Sequence, residues 1–188
     1  MEIKTDIAAK PEPSDDDVVR KSQSDPQAFR SIYEKYYKNL YLFAFRRLGD
    51  RELARDITQQ VFLKALQAIG KFQFRGVPFS AWLFRIAVNE CNEFFRKTNR
   101  ARLVSVDERM TQALHDELTY DTSADELEAK LPMLLQRLRE DELQLIQLRF
   151  FDGLPFQDIA LILDITENNA KVKTYRALDR LKKHFLNP

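Results

Sequence analysis

The sequence predicts an all-α protein: two small helical domains joined by a flexible acidic linker. Apolar residues recur at three-and-four spacing rather than in strict alternation, which is the helical period. Glycine is scarce, 4 residues in 188, against 14 phenylalanines, which favours helices over sheet. Between about Ala101 and Ala129 the apolar pattern weakens into a polar, acidic stretch, dividing the chain in two. A length of 188 residues suits one medium domain or two small ones.

The elements follow in order. Residues 1–14 read as a disordered tail, and Asp15 to Asp17 as a solvated acidic run at its end. A first long helix is expected from Asp25-Pro26, an acceptor side chain before proline at the first helical position. Phe29, Ile32, Tyr33, Tyr36, Leu40, Phe43, Ala44 and Leu48 share its inner face, and Gly49-Asp50 ends it. A second helix turns Leu53, Ile57, Val61, Ala65 and Ile69 inward and closes near Gly70. The stretch KFQFRGVPFS reads as a structured loop, and Ser80 is placed to cap a third long helix with Trp82 or Leu83, Ile86, Ala87, Cys91 and Phe94 inward. These helices can close a small bundle over residues 15–100. After the linker, 101–129, order resumes over 130–188. A helix there ends at Gly153, and a short helix runs to Leu163. A tight turn at Asp164-Ile165 and a final helix capped by Thr166 complete the chain.

The formal net charge of +1 conceals three blocks. Residues 85–102 carry net +3, 165–188 net +4, and 104–129 net −7. Two basic surfaces on an acidic tether suit a nucleic-acid binder better than the sum implies.

Other classes fall away. Cys91 is the sole cysteine, so an internal disulfide is excluded, and its helical, apolar setting reads as a buried small hydrophobe. No apolar run reaches the ~20 residues needed to cross a bilayer, and the polar start does not read as a secretory signal, so no membrane insertion and a cytoplasmic location are expected. A phosphate-binding glycine loop, a nucleophile elbow and a Cys/His cluster are all missing, and the two histidines, His115 and His184, lack partners at ligand spacing. No catalytic residue, metal or cofactor is expected, and the chain does not read as an enzyme.

The sharpest pattern is LPFQDIALILDITENNAKVKTYRALDRLKKHF: a short apolar helix, a brief turn and a longer basic helix, the helix-turn-helix layout. Ile159, Ala160, Leu163, Ile165, Ala170, Thr174, Ala177 and Leu181 face inward. Lys171, Tyr175 and Arg176 project outward with Lys173 beside them, suited to phosphates and base edges in a major groove. On the third helix, Arg85, Asn89, Asn92 and Arg96 share the face away from the core, next to Phe74 and Phe79, which could hold a phosphate backbone and stack an unpaired base. The second helix presents Asp56, Gln59, Gln60 and Lys64, either for solubility or as a protein-docking surface.

Three segments, DITQQVFLKAL, FSAWLFRIAVNECNEFFRK and LRFFDGLPFQDIALILDITENNAKVKTYRALDRLK, in this order, resemble the extracytoplasmic-function (ECF, group IV) sigma factors of the sigma-70 family. The likeness covers nearly the whole chain from Asp15 to Leu186. It implies that 15–100 is sigma region 2, gripping core RNA polymerase through Asp56, Gln59, Gln60, Phe62 and Lys64. It implies that Phe74, Phe79, Arg85, Asn89, Asn92, Arg96 and Lys97 melt and hold the −10 element. It implies that 130–188 is region 4, reading the −35 element through Thr166, Asn168, Asn169, Lys171, Val172, Lys173, Tyr175 and Arg176. An anti-sigma factor is a further implied partner. The chain departs from the family pattern at Gln60, where an acid is common, at Asp164 in place of the usual turn glycine, and over ENNAKVK.

On this reading the protein is a monomer when free and binds promoter duplex poorly, because its acidic tether competes with phosphate for the basic faces. A linker of about 28 residues extends to roughly 95 Å at ~3.4 Å per residue. The −35 and −10 elements lie about one and a half turns of DNA apart, on the order of 55 Å. The rival readings are a dimeric operator-binding regulator and a helical protein-interaction adaptor. Duplex binding by the isolated chain distinguishes the first, and absence of any nucleic-acid affinity the second.

Overall fold

The structure, a computed structural model of the chain, describes residues 14–74, 76–98, 106, 108–118 and 124–186. The expected tail, apart from Ser14, lies outside the described residues, as do 101–105, 107 and 119–123 of the expected linker. Among the described residues there are nine α-helices and no strand.

Helix α1, Asp15–Ser24, begins where the sequence reading placed a solvated run. Ser14 accepts from the Asp17 amide at 3.2 Å, and three acids fill the first turn, where the helix dipole favours negative charge. Asp15 also accepts from Lys35 Nζ at 2.6 Å and from the Tyr36 hydroxyl, tying α1 to α2. Helix α2, Phe29–Leu48, follows a short 3₁₀ turn at Pro26–Ala28 capped by Asp25, as expected. Gly49, at φ 65°, closes it in the left-handed region that glycine occupies without steric cost. Asp50 then caps α3, Arg51–Ala68, accepting from the Glu52 and Leu53 amides at 2.9 and 3.1 Å. Helix α4, Phe79–Thr98, completes the first bundle, whose core holds Leu40, Phe43, Val61, Ala65, Leu83, Ala87 and Cys91.

Within the expected linker the described residues form α5, Glu108–Leu118, and the start of α6, Ala124–Gln136, which continues into the second domain. Met110 and Leu114 of α5 are fully buried, and Leu114 shares a core with Leu127, Leu131, Leu135, Leu143, Ile146, Ala177 and Leu181. A few apolar residues at helical spacing suffice for a helix when a neighbouring surface covers them. Composition alone showed their acidic surroundings and not that cover.

Helix α7, Glu140–Ile146, runs on through a π-helical stretch, Gln147–Phe151, to Gly153 at φ 68°. Helix α8, Phe156–Leu163, turns at Asp164 (φ 58°, ψ 47°) into α9, Glu167–Leu186. Thr166 caps α9 as expected, its hydroxyl accepting from the Asn169 amide at 3.2 Å. Every inward residue expected for this motif is buried or half-buried.

The two halves are packed on each other. Helix α8 lies against α4. One continuous apolar cluster joins the α1–α4 core to Leu145, Leu148, Ile159, Ala160, Ile162 and Ala170.

Candidate nucleic-acid interface

The strongest surface is the outer face of α9. Thr166, Asn168, Asn169, Lys171, Val172, Lys173, Tyr175 and Arg176 are all exposed, while Ala170, Thr174 and Ala177 on the opposite face are fully buried. The helical period alone produces this division: the buried residues lie at i, i+4 and i+7. Val172 and Tyr175, 39% and 41% exposed, leave apolar surface among the cations, suited to groove contacts such as a thymine methyl. Behind Tyr175 its ring meets Phe156 at 6.0 Å, and Arg149 lies over Phe156 at 4.8 Å. Asp164 sets the angle of entry. Its left-handed backbone is one that Asp, after Gly and Asn, tolerates.

On α4, Arg85, Asn89, Arg96 and Lys97 are exposed and Asn92 is half-buried. Several of them already have partners. Lys97 lies 2.8 Å from Glu93 and Arg96 3.9 Å, and Lys97 holds the Glu93 carboxyl below the usual carboxylate range. Asn92 accepts from Arg47 Nη2 at 2.7 Å, and Arg85 lies 3.5 Å from Asp164 in the helix-turn-helix turn.

The loop before α4 is held from inside by aromatic rings. Phe72 packs edge-on to Phe74 at 5.0 Å and to Phe79 at 5.3 Å, with Trp82 at 5.0 Å. Gln23 of α1 donates to the Ile69 and Phe72 carbonyls, anchoring the loop's start. Phe79, expected to stack an extruded base, is 2% exposed and belongs to this internal support. Phe74 is half-buried beneath Arg20, whose guanidinium sits 5.2 Å from the ring centre. A cleft of about 420 Å³ opens beside the loop, lined by Lys71, Gln73, Val77, Trp82, Arg85 and Leu161 among others.

On α3, Asp56, Gln59, Gln60 and Lys64 are exposed, with Lys64 bridging to Glu90 of α4 at 2.5 Å. Phe62, expected on this docking face, is buried against Phe29 and Tyr33. The sequence reading missed Leu63 and Leu66, 49% and 37% exposed, which continue the stripe of Asp56, Gln59 and Gln60. Their spacing from Gln59 and Gln60 was the available signal.

It also missed Arg46 and Arg47 at the end of α2. Arg46 donates to the Phe151 carbonyl at 3.1 Å and to the Asp152 carboxylate at 2.9 Å. Arg47, 3% exposed, is bonded to Glu140 as well as Asn92. Nearby, Gln147 donates to the Phe43 carbonyl at 2.9 Å. Nothing in the spacing of two adjacent arginines announces burial by a distant segment.

Comparison with known proteins gives this geometry its family. Two family models match in chain order: Sigma-70 region 2 over residues 32–101 and Sigma-70, region 4 over residues 128–181. The chain belongs to the sigma-70 family. Several of its relatives are named ECF sigma factors. It is 31% identical over 166 residues to the ECF RNA polymerase sigma factor BldN of Streptomyces coelicolor, covering 87% of this chain and 62% of the relative's length. It is 29% identical to the ECF RNA polymerase sigma factor SigX of Bacillus subtilis, covering 85% of this chain and 84% of that one. Among solved structures, CnrH in complex with the cytosolic domain of CnrY shares the fold, with a TM-score of 0.63 at 21% identity over 88% of this chain and 93% of that one. Among the described residues, no helix is long and apolar enough to cross a membrane, and no cluster of His, Cys, Asp and Glu could hold a metal ion.

Proposed function

We propose that the protein is an alternative sigma factor of the ECF type, which binds core RNA polymerase, directs it to promoters through −35 and −10 elements, and promotes melting for transcription initiation. The observation that carries this reading is the pair of sigma-70 regions in order, the second ending in a capped helix-turn-helix whose exposed face is basic.

In this reading α1–α4 act as region 2. Asp56, Gln59, Gln60, Leu63 and Lys64 form the surface that docks on core polymerase, a polar stripe with an apolar centre suited to a helical partner. Arg85, Asn89, Asn92, Arg96 and Lys97 follow the −10 strand, cations on the phosphates and amides on base edges, with Phe74 beside them. Helices α7–α9 act as region 4, with α5 and α6 completing their core. The α9 face from Thr166 to Arg176 enters the −35 major groove. Catalysis belongs to the polymerase, and this chain contributes recognition and strand capture. A regulatory partner of the anti-sigma kind would act by covering these surfaces.

Association with bacterial core RNA polymerase lacking any sigma factor tests the reading, by gel filtration or fluorescence anisotropy. We expect a one-to-one complex of nanomolar affinity. A folded chain that ignores core polymerase but binds operator-like duplex as a dimer would replace this reading with that of a conventional regulator.

A further inference from the structure

We propose that α1 is a strut for the loop that captures the −10 strand, and that Gln23 is the residue that positions this loop. The role rests on the assignment of α4 and Phe74 to the −10 strand, a reading that gives α1 no contact of its own.

The loop before α4 does not hold its own shape. Its backbone hydrogen bonds lie at its ends, from the Phe72 amide to the Ile69 carbonyl at 3.0 Å and from the Trp82 amide to the Pro78 carbonyl at 3.2 Å. Among the described residues between them, no backbone–backbone bond braces the chain. The chain leaves helical geometry at Phe72, whose φ of −65° and ψ of 131° set the direction in which Gln73 and Phe74 depart. The peptide plane is rigid, so whatever fixes that ψ fixes where the Phe74 ring stands.

Gln23 is placed to fix it. A side-chain amide has two N–H donors, and those of Gln23 go to the Ile69 carbonyl at 3.1 Å and the Phe72 carbonyl at 2.9 Å. The Ile69 oxygen also accepts from the Phe72 amide, so the bonds close a clamp around one turn. Rotation about ψ would swing the Phe72 carbonyl away from its donor. Arg20, three residues earlier on the same face of α1, lies 5.2 Å from the Phe74 ring centre. One helix therefore holds both the start of the loop and the ring that the start aims.

The strut has a fixed foot. Val19 is fully buried, and Asp15 accepts from Lys35 at 2.6 Å and from the Tyr36 hydroxyl, joining α1 to α2. On its other side the Phe72 ring packs on Phe79 and Trp82 of α4. A base drawn out of the stack has to be caught by a surface already in place. A loop ordered beforehand does not lose its freedom at the moment of capture.

The test replaces Gln23 by side chains that differ in their donors. Gln23→Met keeps the length without N–H groups, Gln23→Glu turns a carboxylate toward two carbonyls, and Gln23→Lys returns a donor. Each full chain is joined to core polymerase, and permanganate reactivity measures opening at a start site that the wild-type holoenzyme selects from genomic DNA. Core binding is measured alongside by anisotropy. Trp82, the single tryptophan, packs 5.0 Å from Phe72, so acrylamide quenching of the free chain reports on the loop.

We expect Gln23→Met and Gln23→Glu to lower opening about 10-fold, as loss of two ordinary hydrogen bonds would, with core binding within about 2-fold of wild type. Both should raise Trp82 quenching, and Gln23→Lys should recover opening and quenching toward wild type. A lysine variant as impaired as the methionine one overturns the positioning role, because packing and not donation would explain the loss. Unchanged opening or unchanged quenching in Gln23→Met overturns it too. So does a proportionate fall of core binding with opening, which would assign Gln23 to the stability of the fold. A wild-type chain that ignores core polymerase removes the sigma reading itself, and this role with it.

Discussion

At the end of α2, neighbouring arginines meet carboxylates from more than ninety residues away, and the consequence is a titration. Burial pushes the Asp152 carboxyl up to about 7, with Arg46 first and Arg47 second opposing the shift. The folded chain therefore holds a proton on Asp152 that the unfolded chain gives up at an ordinary carboxylate pH. Its contribution is present in full below the unfolded value and is lost as pH rises through about 7. Raising the pH from 6 to 8 should therefore lower the stability of the fold. Chemical denaturation at the two pH values measures this, and Asp152→Asn should flatten the dependence. Equal dependence in the variant would assign the effect to another group. The residues proposed for the −10 strand make a separate prediction: Asn89→Ala and Arg96→Ala should impair open-complex formation, read by permanganate footprinting, more than core binding, and equal loss of both would remove α4 from the −10 assignment. At this scale the sequence revealed residue types and faces. It misplaced Phe62 and Phe79, because an aromatic beside a polar stripe can point either way. Here Phe29, Tyr33, Phe72 and Trp82 supply the surroundings that turn them inward.

Helices were legible where a cap or a stop stood in the chain. Asp25-Pro26, Gly49-Asp50, Gly153 and Thr166 each mark a boundary found in the structure, since each carries its own local chemistry. Ser14 with Asp17 carries the same kind of signal, yet the acidic run it opens reads equally well as a solvated tail. The helices within the linker segment were not legible for the opposite reason. Helices α5 and α6 depend on apolar partners supplied by α7 and α9, so no local signal offsets their acidic composition. Helix α5 is thus an integral part of the second core rather than a tether. Leu114→Ala should cost about 2–4 kcal/mol of stability, as fully buried leucines do. A chemical-denaturation midpoint measures the loss, and a cost below ~0.5 kcal/mol would return the segment to the status of a linker.

Across the whole molecule, the sequence foretold two helical units with basic faces and was silent on how they sit together. The silence has a physical origin: the contacts joining α2 to α7 span about a hundred residues and rest on polar pairs that no periodicity encodes. Core polymerase, by holding the halves apart at promoter spacing, would turn two individually weak DNA contacts into one avid site. That division of labour fits a chain whose net charge is only +1 while its recognition helix is strongly basic. The most direct test is transcription. Core polymerase, with and without the purified chain, is given fragmented DNA from the source organism, and the 5′ ends of the products are mapped. The account predicts that the chain creates a small set of discrete start sites sharing one −35 and one −10 sequence. An identical pattern of starts with and without the chain, despite a stable complex with core polymerase, would contradict it.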